Sequence, residues 1–112
     1  RLYEIFAQPD HVALTRLIMQ ESQRDPELAE RVYQAGFGRG IRMTARLLAD
    51  AHAQGQIICP RPLESAIFFS GILKHPQWRQ LHGLPQLEEG LQRHSFLTHQ
   101  VQLFLAAHRN PS

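Results

Sequence analysis

The sequence predicts an all-α fold, an antiparallel helical bundle, and three observations carry that prediction. Apolar residues recur at three- and four-residue intervals along nearly the whole chain. No convincing run alternates apolar and polar residues as a half-buried strand would. Proline and glycine cut the chain into helix-sized pieces at Pro9, Pro26, Gly36, Gly55, Pro62 and Gly83.

With 112 residues, 43% of them hydrophobic, the chain is read as one domain, 1–112, with enough apolar material for a core. The formal charge is only +2, and the twelve Lys and Arg residues are spread out, so no basic stripe points to nucleic acid. Cys59 is the single cysteine, which excludes an intrachain disulfide and fits a reducing, cytoplasmic setting. Neither a membrane-length apolar run nor a signal-peptide pattern is present.

The stretch 1–7 already has helical apolar spacing at Leu2, Tyr3, Ile5 and Phe6, with no capping residue or initiator Met ahead of it, so the chain is expected to start mid-helix as a fragment of a longer protein. Gln8-Pro9-Asp10 stops that helix and restarts another, expected over 11–23, with Leu14, Leu17, Ile18 and Glu21 on its inner face. A carboxylate on an apolar stripe needs an Arg, a capping amide or a ligand, because burying it unpaired costs several kcal/mol. Asp25-Pro26-Glu27 combines an N-cap carboxylate, a first-turn proline and an acid favoured by the helix dipole, and Leu28, Val32 and Ala35 follow at helical spacing.

Gly36-Phe37-Gly38-Arg39-Gly40 predicts a break or kink, since glycine costs about 1 kcal/mol of helix propensity at each position. Phe37, Ile41, Thr44, Leu48 and Ala51 then form one helical face, ended by Gly55. A loop through Cys59 leads to a helix over 62–73. Its apolar residues point almost all the way round and predict burial on several sides. Its Ile67, Phe68, Gly71 and Ile72 are assigned to a subunit interface, with Ser70 and Gly71 small enough for close helix approach. An irregular or short-helical connection is expected over 74–85.

The last helix, expected over 86–108, carries two apolar faces. Leu87, Leu91, Leu97, Val101, Phe104 and Leu105 share one stripe at the roughly 100° helical step, and Phe96, Leu103 and Ala107 form a ridge on nearly the opposite side. One stripe suits a core. The second needs a cover, and another copy of the chain is the natural one, so this is read as a dimerisation helix. The chain is expected to fray after Ala107.

No catalytic constellation emerges. The seven histidines, at 11, 52, 75, 82, 94, 99 and 108, make no i, i+4 pair with a neighbouring acid, so no metal site is assigned. Glu88 and Glu89 fall in the expected first turns of the last helix, where the dipole favours them. The pattern fits no enzyme and calls for no cofactor. A bundle with scattered aromatics can enclose a small-molecule pocket. Phe6, Ile18, Glu21, Phe37, Ile41, Thr44, Leu48, Phe69 and Trp78 are the residues expected near one.

The order of these motifs resembles the C-terminal half of TetR/AcrR-type transcriptional regulators. The resemblance rests on Leu2-Tyr3-Glu4-Ile5-Phe6, on Leu14 to Glu21 as LTRLIMQE, and on Asp25-Pro26-Glu27-Leu28-Ala29 with Val32-Tyr33. It continues through Leu47-Leu48-Ala49-Asp50-Ala51, the helix Ala66-Ile67-Phe68-Phe69-Ser70-Gly71-Ile72-Leu73, and a last helix ending Val101-Gln102-Leu103-Phe104-Leu105. It implies a homodimer in which the last two long helices of each subunit make a four-helix bundle, and a pocket for a small apolar or amphipathic effector in each protomer. It also implies that operator DNA is bound only through an N-terminal helix-turn-helix domain, which nothing here matches. A helical adaptor or assembly module with a solid core and no ligand is the alternative.

Overall fold

The computed structural model describes residues 9–111. The stretch 1–7 read as a truncated helix lies outside them. Among the described residues, six α-helices follow one another: α1 (Pro9–Glu21), α2 (Pro26–Ala35), α3 (Phe37–Ala53), α4 (Pro62–Ser70), α5 (Lys74–Leu81) and α6 (Arg93–Ala107). A 3-10 turn, Gly71–Leu73, joins α4 to α5 without an intervening loop. The all-α prediction holds.

Local chemistry sets the boundaries. Asp25 caps α2, its carboxylate accepting from the Leu28 N–H at 3.3 Å, with Pro26 at the first helical position. The glycine-rich stretch breaks the chain only at Gly36; Gly38 and Gly40 lie inside α3. Gly38 is buried because Tyr33 folds over it, and a Cβ there would lie 2.6 Å from the tyrosine ring. Past the end of α3, Gly55 takes φ +77°, as the C-terminal reading required.

The helix expected over 86–108 begins only at Arg93. Gly90 sits at φ +93°, and Gln92 caps the helix, its side-chain oxygen accepting from the Ser95 N–H at 2.7 Å. Leu87 and Leu91 continue the helical spacing but lie in the preceding irregular segment. Glu88 and Glu89 are therefore not in a first helical turn.

The helix is also rotated from the expected orientation. Its inward seam is Phe96, Leu97, Gln100, Phe104 and His108, while Val101 and Leu105 on one flank and Leu103 and Ala107 on the other are exposed. The expected fraying after Ala107 does not occur. The Ile58 N–H donates to the His108 carbonyl at 2.8 Å, Ile57 and Arg109 form an antiparallel bridge, and the Asn110 amide donates to the Gly55 carbonyl.

Two more faces differ from expectation. On α1, Val12 is buried while Leu14 and Leu17 are exposed; Ile18 and Glu21 are half-buried. On α4 only Ala66 is buried, and Leu63, Ile67 and Phe68 face outward, so the helix is covered on one side within the protomer. A periodic pattern shows which residues are apolar, and packing decides which of them the monomer can cover.

The core is thin. Among the described residues it comprises Val12, Ile41, Cys59, Ala66 and Phe104, and α3 packs most extensively against α4. The molecule is a slab of 49 × 39 × 19 Å, about two helices thick. Its radius of gyration is 16.1 Å, against about 13 Å for a compact chain of this length.

Candidate functional site

Residues of α4, the 3-10 turn after it, the start of α5 and α6 border an open concavity of about 520 Å³, lined by Ile67, Phe68, Gly71, Ile72, His75, Phe96, Gln100, Leu103 and Phe104. Phe104 makes its floor. Its ring lies 4.9 Å from Phe69 in an edge-to-face arrangement, 6.3 Å from Phe68, and 4.3 Å from His108. His108 fixes the far end of α6. Its Nδ1 is 2.8 Å from the Phe104 carbonyl, an acceptor, so in the neutral ring Nε2 accepts from the Ser65 hydroxyl at 2.8 Å.

Six of the seven residues assigned to an interface are thus gathered around one hollow: Ile67, Phe68, Gly71, Ile72, Phe96 and Leu103. Ala107 is exposed farther along α6. Phe68 is 68% exposed and Leu103 52%, so the hollow is bordered by an exposed apolar patch. His75, Gln100 and Phe104 share the lining without having been assigned to it. Gln100 was legible, because it stands four residues after Phe96 and three before Leu103 on the same ridge.

The nine expected effector residues do not gather in this way. Phe6 lies outside the described residues. Ile41 is buried, and Ile18, Glu21, Thr44 and Leu48 are half-buried on α1 and α3. Phe69 turns onto Phe104. Phe37 is 40% exposed and reaches α5, where the Lys74 ammonium sits 3.8 Å from its ring centroid. Trp78 is 57% exposed and stacks on His82 at 4.0 Å. None of the nine lines the α4–α6 concavity, nor a smaller one of about 160 Å³ bounded by Met43, Arg46, Leu47 and Asp50.

Polar contacts tie the remaining elements to this frame. Arg16 of α1 donates from Nε to the Leu81 carbonyl at 3.0 Å and from Nη2 to the Gln80 carbonyl at 3.1 Å, capping the C-terminal end of α5. His75 Nε2 meets both Glu88 oxygens at 2.9 and 3.2 Å, and Arg79 Nη1 reaches the same carboxylate at 3.3 Å. The hydrogen bond from His75 is the main cause that holds the Glu88 carboxyl below its ordinary pKa. Burial draws the Lys74 ammonium below the usual lysine value.

The family model for the C-terminal domain of AefR-like transcriptional repressors matches residues 1–110. The chain belongs to that family. This is a TetR-type C-terminal domain, as the order of motifs implied. It is also similar in fold to the crystal structure of a protein described as a TetR-family transcriptional regulator from Mesorhizobium loti MAFF303099, with TM-score 0.81 and 24% identity over 97% of this chain. The chain spans 55% of the length of that structure. No curated protein matches it. Membership places the TetR-type domain among regulators rather than enzymes. Among its described residues, no helix is long and apolar enough to cross a membrane.

Proposed function

We propose that this TetR-type domain is the effector-binding and homodimerisation half of a cytoplasmic bacterial repressor, whose operator DNA is held by an N-terminal helix-turn-helix domain of the intact protein. The observation that carries the reading is the exposed apolar face of α4 and α6, centred on Phe68 and Leu103 around the concavity. Two copies related by a two-fold axis would cover the same patch on each, and their paired α4 and α6 helices would make a four-helix bundle.

Small-molecule binding then acts on DNA affinity by favouring one spacing of the two DNA-reading heads over another. An effector that prefers the non-binding state by about 100-fold shifts that balance by about 2.7 kcal/mol and no more.

Sedimentation equilibrium of the parent chain beside Leu103→Arg tests the dimer. A charge buried unpaired in a dimer interface costs several kcal/mol, whereas on an exposed monomer surface it costs little. The expected result is a dimeric parent and a variant that is monomeric with unchanged helical circular dichroism. A monomeric parent, or a dimer that the arginine leaves intact, sinks the interface.

A further inference from the structure

Lys74 opens α5, and its ammonium lies over the Phe37 ring at the start of α3. Among the described residues, the ion pairs join Arg61 to Glu64 and His75 and Arg79 to Glu88; none reaches Lys74. The residue as a whole is exposed, but partial desolvation of its ammonium disfavours the charge. An aromatic face relieves only part of this, whereas an anion would relieve all of it.

The surroundings fit an anion that carries an apolar body. Trp78 follows Lys74 by four residues, so a cation and an exposed indole share one face of α5 over about 6 Å, and the imidazole of His82, just past the end of the helix, stacks on that indole. Phe37 is itself partly exposed, and the Tyr33 ring, also partly exposed, lies 6.1 Å from it. Exposed aromatics beside an unpaired cation are the reverse of what a merely solvated lysine needs.

We propose that this strip binds a small anionic amphipath, a carboxylate on an acyl or aromatic body, with Lys74 receiving the carboxylate and Phe37 and Trp78 receiving the body. The inference rests on the effector-binding reading above and gives it a ligand class.

Trp78 is the chain's single tryptophan, so its emission reports directly on the strip. Titration with decanoate and with decanol, both below their aggregation limits and followed also by calorimetry, separates charge from apolar burial. Decanoate is expected to change the Trp78 emission saturably and to bind about tenfold more tightly than decanol, the scale of one hydrogen-bonded charge. Lys74→Gln removes that preference and Lys74→Arg keeps it, each with unchanged helical circular dichroism. Equal binding of the two probes, or a preference that survives Lys74→Gln, overturns the assignment of a carboxylate to Lys74 and leaves the effector reading standing. Neither fluorescence change nor heat with either probe overturns both.

Discussion

The α3–α4 pair and α6 are built from equally apolar sequence, yet they are held by different means. The pair buries Ile41 and Ala66 and closes over Cys59, whose N–H donates to Nδ1 of His52 at 2.9 Å, so its cohesion is spread over a continuous internal surface. By contrast, α6 is attached at two points: the Phe104 ring among Phe68, Phe69 and His108, and the strand-like tail hydrogen-bonded to residues 55–58. Between those points its flanks lie open. A helix held along one seam, with Leu103, Leu105 and Ala107 left open beside it, has burial still to make, and the proposed partner copy is where it would be made.

The sharpest way to break this comparison is at that ring. Phe104→Ala removes a buried aromatic with three ring contacts and is expected to cost about 3–5 kcal/mol of protomer stability. Leu103→Ala, one residue away but half-exposed, should leave the stability of the monomer within about 0.5 kcal/mol. Urea denaturation of both variants, at protein concentrations low enough for each to be monomeric, isolates the intramolecular term. Equal losses for the two would mean that α6 is held by its whole surface.

The glycines of α3 sharpen the other side. A Cβ at Gly38 meets the Tyr33 ring at 2.6 Å and the Tyr33 backbone carbonyl at 2.9 Å, so Gly38→Ala must push α2 away from α3 and should cost about 1–3 kcal/mol. Gly40 has open space at the same point of substitution, and Gly40→Ala should stabilise by about 0.5–1 kcal/mol through helix propensity alone. Thermal melts of the two single variants check the signs. If both destabilise, the kink at Gly36 needs flexibility beyond Gly36 itself.

The same residues show what a sequence can and cannot specify here. Caps and breakers act locally, so Asp25, Gly36, Gly55 and Pro62 marked their boundaries correctly. The start of α6 was misplaced because Leu87 and Leu91 happen to keep helical register across Gly90, whose positive φ ends any helix there. Fold class was legible from periodicity, and the gathering of Phe68, Phe96 and Leu103 followed from ridges on two helices. The effector residues were not gathered by the same reasoning. Periodicity assigns a face to Ile18, Thr44 or Leu48 but says nothing of the distance between faces on different helices. Lys74 escaped notice because the signal that singles it out, a cation over Phe37 without a carboxylate, exists only in three dimensions.

The smallest effect concerns the segment that delivers α6. Residues 82–92 turn at Gly83 and Gly90, both at positive φ, and between them Glu88 is tied back to α5 by His75 and Arg79. The Glu88 pKa is depressed in the folded state, so its contribution is present above the ordinary carboxylate range, about pH 4.3, and is lost as the pH falls through the depressed folded value. Both partners' side chains are half-exposed, so salt should screen the tie and the stability change should be slight. The carboxyl carbon shift of Glu88 followed by NMR should therefore titrate below the ordinary range, and His75→Ala should move it upward, the histidine being the principal cause. If α6 hangs chiefly on Phe104, acidification that releases Glu88 will loosen the linker while the Phe104 ring contacts persist. Simultaneous loss of both would show that the tether, and not the ring, sets the position of the helix.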